Sequence, residues 1–156
     1  DFVGVGGYGN YLTFIRFAES FNIPYLIFSD AEEVPKESVI QQIDNSIGND
    51  ISKVIFVDDG NDFEKQLVVD GYQDEIRISI EKNELPEGSH PMHIAAKKTE
   101  ILGYDDAKLY AIMTASKTQF APVLAQSIVE SDKNLPIKVV QLFDEINKII
   151  NPLQND

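Results

Sequence analysis

The chain has 156 residues, 43% of them hydrophobic and 25% charged, a balance that excludes an intrinsically disordered chain and predicts one globular domain with a sizeable core. The formal net charge of −13 argues against nucleic-acid binding by the chain alone, because such binding normally rests on Lys and Arg that neutralise phosphates. This objection weakens if part of the acidic charge holds divalent cations, which reverse the local electrostatics.

The sequence also indicates the cellular setting. It has no cysteine, no apolar stretch near the roughly 18 residues that a membrane span needs, and no signal region at its start. We therefore expect a cytoplasmic protein that contacts no membrane. Asp1 is followed at once by the apolar Phe2 and Val3, so we also expect the chain to be a piece of a longer protein.

The first half of the chain predicts strands that alternate with helices. Strands are predicted at residues 2–5, in the apolar run after Pro24, and at residues 53–57. Helices are predicted at residues 12–21 and 35–47 between them. The second helix carries an apolar side that is spaced for burial, consisting of Val39, Ile40, Ile43 and Ile47. Strands joined by helices imply crossover connections, so the prediction is an α/β fold with a Rossmann-like parallel sheet flanked by helices.

The second half predicts helices that pack around this sheet. Their expected ranges are 63–69, 73–81, 93–102, 105–113, 119–130 and 136–150. The last helix carries an amphipathic stripe, formed by Val139, Val140, Phe143, Ile146, Ile149 and Ile150. Such a stripe suits a dimer interface as well as it suits the core.

Two pairs of carboxylates follow the predicted second and third strands. Asp30 and Glu32 close one apolar run, and Asp62 and Glu64 come after the next. Mg²⁺ prefers a few hard oxygen ligands and retained waters, and the carboxyl ends of parallel strands can hold such ligands apart on a rigid scaffold. The pattern therefore predicts a Mg²⁺ site. Either pair alone fits a second interpretation equally well, in which the acids end strands and cap the helices that follow.

A glycine motif near the start favours a different ligand. The segment Gly4-Val5-Gly6-Gly7-Tyr8-Gly9 matches G-x-G-x-x-G, and Asp30 follows about twenty residues later at a strand end, as a ribose-binding acid would. A short preceding strand and the bulky Tyr11 and Leu12 argue against a dinucleotide site, where the helix packs closely on the sheet. The simpler interpretation is a glycine turn that leads into a helix and presents backbone N–H groups to a phosphate. The alternative function is a nucleotide-binding regulatory domain that uses Gly4 to Gly9 and Asp30.

Lys117 and the pair Asp58-Asp59 are further candidates by position. Lys117 lies just ahead of a predicted helix, where its charge opposes the helix dipole, and this speaks for a functional role. A solvated surface lysine is the alternative interpretation and is otherwise the commoner one. Asp58 and Asp59 resemble the acidic pair of phosphate-accepting receiver domains, but too little chain follows them for that fold.

Four segments together carry a family resemblance. They are Val5-Gly-Gly-Tyr-Gly-Asn10, Ile23-Pro-Tyr-Leu-Ile-Phe-Ser-Asp30-Ala-Glu32, Gly60-Asn-Asp62-Phe-Glu64-Lys-Gln-Leu and Ser116-Lys117-Thr. In this order and rough spacing they resemble the Toprim domain of OLD-family ATP-dependent endonucleases, the group that includes the Gabija nuclease. The resemblance covers nearly all of the chain. It implies one Toprim-like catalytic domain over residues 1–156, with an ABC-type ATPase domain upstream.

The resemblance also implies an activity and assigns residues to it. The family cuts DNA with divalent metals, so we expect phosphodiester hydrolysis or nicking of double-stranded DNA with Mg²⁺ or Mn²⁺, while the upstream domain uses ATP. Asp30 and Glu32 fall on the family's D-x-D or D-x-E metal motif, and Asp62 and Glu64 fall on its later D-x-E motif. Lys117 matches the lysine near the scissile phosphate. The residues expected to be catalytic are Lys117, Asp30 and Glu64.

One departure from the family pattern affects these expectations. Toprim domains begin with a strand that ends in a glutamate, in an E-G-x-x-E setting, and no such segment precedes Gly4. We therefore expect an essential metal ligand upstream and expect these residues alone to be inactive. A degenerate Toprim fold that serves as an assembly surface is a further alternative. The family implies a homo-oligomer of the full-length protein, a helicase partner and a role in anti-phage defence.

Overall fold

The structure is a computed structural model that describes residues 2–85, 88 and 90–151. These residues form eight α-helices and two β-strands, so the chain has α/β structure in which helix predominates. They divide into two compact units, one of the described residues up to Phe63 and from Ile137 onward, and one of those from Glu64 to Pro136. Within the described ranges, no helix combines the length and the apolar character that crossing a membrane requires.

The first unit is built on a small parallel sheet. Its elements are α1 (Tyr11–Ser20), β1 (Ile27–Ser29), α2 (Glu33–Asp44), β2 (Val54–Phe56) and α8 (Ile137–Ile150). The two strands pair with Ile27 opposite Val54 and Ser29 opposite Phe56. Because the strands are parallel, both carboxyl ends lie at the same edge of the sheet, as the sequence predicted.

The core of the first unit is formed where α1 and α2 cover the sheet. Ile15 of α1, Ile27 of β1 and Ile43 of α2 are buried and pack together, with Tyr25 and Val54 at their border. Burial of one such side chain contributes about 1.5–3 kcal/mol to stability. These contacts hold α1 and α2 against β1.

The predicted strand at residues 2–5 is wrong. In the described structure this segment pairs with no strand, and the side chains of Phe2 and Val3 are 79% and 64% exposed. A strand needs a neighbour for its backbone groups and a buried face for its side chains, and these residues have neither. Gly6 and Gly7 follow with φ angles of +71° and +116°, which redirect the chain into a turn.

The end of α2 also differs from the prediction. The helix stops at Asp44, and Ile47 is 78% exposed rather than buried. The side chain of Asn45 donates to the carbonyl of Gln41 at 2.8 Å, and that of Ser46 donates to the carbonyl of Ile43 at 2.7 Å. These bonds satisfy carbonyls in the last turn and end the helix before it reaches Ile47.

The second unit is helical. Its elements are α3 (Phe63–Val69), α4 (Gln73–Glu84), α5 (Pro91–Leu102), α6 (Asp106–Ala115) and α7 (Lys117–Glu130), with Phe63 itself counted in the first unit. The helix α4 packs against α5, α6 and α7. The buried core of the second unit includes Ile76, Ile80, Ile101, Leu109, Met113, Phe120 and Leu124.

Local sequence signals explain where helices of this unit begin. His90 accepts a hydrogen bond from the amide of Met92 ahead of α5, and Pro91 occupies the first turn. Asp105 accepts one from the amide of Lys108 at 2.8 Å ahead of α6. The predicted helices of the second half are confirmed, and so is the helix at the C-terminal end.

Candidate functional site

The loops that follow the two strands lie side by side. The amide of Ala31 donates to the carbonyl of Asn61 at 2.8 Å, and the amide of Gly60 donates to the carbonyl of Ala31 at 2.9 Å. The segments 30–32 and 60–62 are thereby joined at the carboxyl edge of the sheet. The parallel pairing of β1 and β2 places three of the four predicted metal-ligand residues on these loops, namely Asp30, Glu32 and Asp62.

The three carboxylates differ in burial and in hydrogen bonding. Asp30 is half-buried, and its Oδ1 accepts a hydrogen bond from the amide of Phe63 at 2.9 Å. Asp62 is buried, with 5% of its surface exposed. Glu32 is exposed and precedes α2, but its side chain makes no capping hydrogen bond. The helix-capping interpretation therefore fits Asp30 in part and does not fit Glu32.

Glu64 and Lys117 form an ion pair in the second unit. Glu64 lies in the first turn of α3, Lys117 is the first residue of α7, and Nζ of Lys117 donates to Oε2 of Glu64 at 2.8 Å. The side chain of Glu64 is 20% exposed and that of Lys117 is 48% exposed. The carboxylate offsets the unfavourable position of a cation at a helix N-terminus. It also places the ammonium group where solvent reaches it.

The described side chains supply only part of what a divalent cation requires. Among the described residues, no group of three or more His, Cys, Asp or Glu side chains is arranged to hold a metal ion. Mg²⁺ usually takes only one or two protein carboxylates and completes its shell with waters and substrate phosphates. Asp30, Glu32 and Asp62 offer the hard oxygen atoms that Mg²⁺ and Mn²⁺ prefer. The donor set therefore fits a partial site that needs further ligands.

Sequence reasoning missed two ion pairs beside β2. Asp59 accepts a hydrogen bond from Lys36 of α2, and Asp58 lies 3.0 Å from Nζ of Lys138 in α8. Each partner is remote in the sequence, so only the tertiary structure reveals the pairs. They give Asp58 and Asp59 a simpler role as surface partners of helices that cover the sheet.

The glycine segment forms the predicted turn into a helix. The side chain of Asn10 donates to the carbonyl of Val5 at 3.1 Å, and the side chain of Gln42 donates to the carbonyl of Tyr8 at 2.6 Å. These bonds fasten both ends of the turn before α1 begins at Tyr11. Gln42 also accepts a hydrogen bond from the amide of Leu12 at 2.8 Å, which ties the start of α1 to α2.

Comparisons with protein-family profiles, with curated proteins and with solved structures find no match to this chain.

Proposed function

We propose that the chain is the Toprim-like catalytic domain of an OLD-family ATP-dependent endonuclease, which cuts double-stranded DNA by metal-dependent phosphodiester hydrolysis. The contact between Glu64 and Lys117 carries the proposal. It joins, across 53 residues of sequence, a segment assigned to metal binding and a segment assigned to the scissile phosphate.

The first unit contributes oxygen ligands in this proposal. Asp30, Glu32 and Asp62 would hold Mg²⁺ or Mn²⁺, together with waters and with ligands from adjoining sequence. When bound, the cation would activate water and stabilise the leaving oxygen. The hydrogen bond from the amide of Phe63 engages Oδ1 of Asp30 and restrains the carboxylate, which favours a ligand position that is set before the cation arrives.

The second unit contributes Glu64 and Lys117. Lys117 would offset negative charge on the phosphate in the transition state, and its half-exposed side chain lets a DNA backbone approach it. Glu64 is proposed as a metal ligand and also holds the ammonium group in place. The net charge of −13 requires that cations, or basic surfaces elsewhere in the full protein, supply most of the affinity for DNA. The homo-oligomer, the ATPase domain and a helicase partner belong to the same proposal.

The experiment uses the chain together with whatever adjoining sequence its gene encodes. Plasmid nicking and ATP hydrolysis are measured with Mg²⁺ or Mn²⁺, and again with EDTA. Asp30→Ala should abolish cutting and leave ATP hydrolysis unchanged. Asp59→Ala is the matched control, because Asp59 lies on the neighbouring loop of the same sheet edge and pairs only at the surface with Lys36. Cutting retained by Asp30→Ala would refute the assignment.

A further inference from the structure

The first unit contains a cavity that shares Asp30 with the proposed nuclease site but neither Glu32 nor Asp62. Its volume is about 350 Å³, and it lies between the glycine segment and the end of β1. The residues that matter for recognition are the segment 4–8, Tyr11, Phe28 and Asp30. This volume is at the lower end of the roughly 300–1,000 Å³ of small-molecule pockets, so it suits one small ring system better than a dinucleotide.

The wall of the cavity offers hydrogen-bond donors on one side. The carbonyls of Val5, Gly7 and Tyr8 are already engaged, the first two by Asn10 and the third by Gln42. No described residue accepts a hydrogen bond from the amides of Gly6, Gly7 or Tyr8. The segment that lines this side of the cavity therefore has N–H groups available to an acceptor on a ligand.

The remaining wall offers aromatic surface and one carboxylate. Tyr8, Tyr11 and Phe28 supply rings, and Asp30 supplies a hydrogen-bond acceptor with negative charge. Among the described residues that line the cavity there is no Lys or Arg. Two simpler ligands fit less well. The charge of Asp30 would repel inorganic phosphate, and a simple organic ammonium ion carries no acceptor for the N–H groups of the backbone. A flat ring with donors and acceptors on its edge can hydrogen-bond the backbone amides and Asp30 and can stack on the aromatic side chains.

We propose that this cavity binds a single nucleobase, with its ring against the aromatic side chains and a donor on its edge toward Asp30. The base can belong to a free nucleoside or to an unpaired position in a nucleic acid, since both present the same ring. Binding needs no metal ion, so it can be measured in EDTA. Its success or failure is thereby separate from that of the nuclease proposal.

Two glycines provide a matched pair of variants. A Cβ added at Gly4 or at Gly9 meets no atom within 4 Å, and neither residue has a positive φ angle. Gly4 lines the cavity and Gly9 does not. Gly4→Leu should therefore obstruct the cavity without strain in the backbone, while Gly9→Leu adds the same side chain outside it. Tyr8→Ala is a second test, because the side chain of Tyr8 is partly exposed and its loss spares the core.

Binding of adenosine to the 156-residue chain is measured by calorimetry in EDTA, with circular dichroism to verify the fold of each variant. We expect saturable binding that Gly4→Leu and Tyr8→Ala each weaken by about tenfold or more, which corresponds to about 1.4 kcal/mol, and that Gly9→Leu leaves unchanged. A single-stranded oligo-dA is tested in parallel. Binding of the oligonucleotide alone, lost in Gly4→Leu, would assign the site to a base within a nucleic acid.

Other outcomes would overturn the proposal. They are binding of neither adenosine nor the oligonucleotide, equal affinities in Gly4→Leu and Gly9→Leu, or competition for the site by inorganic phosphate or tetramethylammonium as strong as that by adenosine. If Gly4→Leu fails to fold, Tyr8→Ala is compared with wild type, and equal affinities for adenosine would overturn the proposal.

Discussion

Nζ of Lys117 lies 2.8 Å from Oε2 of Glu64, so the ammonium group at the start of α7 is held by a carboxylate in the first turn of α3. A second pair of the same unit, Lys98 with Glu81, provides a close structural control. Its separation is 2.9 Å, and its side chains are 52% and 22% exposed, against 48% and 20% for the first pair. Substitutions in the two pairs should therefore change stability to a similar extent. Only substitutions in the pair of Glu64 and Lys117 should change function.

We expect Lys117→Met and Lys98→Met to have similarly small effects on folding. Each ion pair is partly exposed, so its loss should change the free energy of unfolding by less than about 1 kcal/mol, and methionine retains much of the aliphatic stem. Urea denaturation of both variants measures this. A loss of several kcal/mol in Lys117→Met alone would mean that Lys117 has a structural role instead.

Substitutions of Asp30 should separate stability from catalysis. Asp30→Ala removes the acceptor for the amide of Phe63 and should cost about 1 kcal/mol of stability, whereas Asp30→Asn retains an acceptor oxygen and should cost less. Both variants lack the carboxylate charge of the proposed metal ligand, so both should lose DNA cutting. Urea denaturation and plasmid nicking are measured on the same preparations. Full cutting by Asp30→Asn would contradict the metal-ligand role.

Substitution of Ile43 should destabilise the core of the first unit, and substitution of Ile47 should not. Ile43 is fully buried, and its replacement by alanine should destabilise the protein by about 2–5 kcal/mol through lost burial and a residual cavity. Ile47→Ala removes the same atoms from a side chain that is 78% exposed and should change stability by less than about 0.5 kcal/mol. Thermal or urea denaturation compares the two variants. Equal losses would show that Ile47 is buried after all.

The periodicity of apolar residues predicted the helices because each helix is a local structure with its own repeat. Phe63–Val69 was predicted with the bounds that the structure shows, and the other helices differ by a few residues at their ends. The parallel arrangement of the strands also followed from the alternation with helices. The helix ranges depend on residues that are close together in the sequence, and the strand pairing followed from the order of the elements.

Features that depend on distant partners could not be predicted in the same way. The segment 2–5 has the apolar residues of a strand but pairs with none in the described structure, and nothing in its own sequence signals that lack. The hydrogen bond from Phe63 to Asp30 and the ion pair of Lys138 with Asp58 likewise join remote residues. The proximity of Glu64 and Lys117 was suggested only by the family resemblance.

Acid should weaken a contact that holds the turn after α2. Glu19 accepts hydrogen bonds from the amides of Ile47 and Gly48, both at 2.9 Å, and from the hydroxyl of Tyr25 at 3.2 Å. Burial raises the pKa of Glu19, but these hydrogen bonds together outweigh it and lower the pKa below the ordinary value of 4.5. A pKa that is lower in the folded protein stabilises the fold above pH 4.5, and this contribution is lost as the pH falls through the folded-state pKa.

Glu19→Gln tests this dependence. The variant should be less stable than wild type at pH 7, and the difference should shrink as the pH falls below 4.5. Urea midpoints between pH 3 and pH 7 measure it. A difference that stays constant over this range would show that the carboxylate charge contributes nothing to the contact.

The most direct test of the nuclease proposal compares Glu64→Ala with Glu81→Ala in the protein that includes any adjoining sequence its gene encodes. Plasmid nicking is measured with Mg²⁺ or Mn²⁺. Both variants remove a glutamate from an ion pair of similar length and exposure, and Glu64 alone of the two belongs to the proposed site. We expect wild type and Glu81→Ala to nick DNA in a metal-dependent reaction and Glu64→Ala to lose it. Nicking that survives in Glu64→Ala, or that is absent from the wild type, would contradict the proposal.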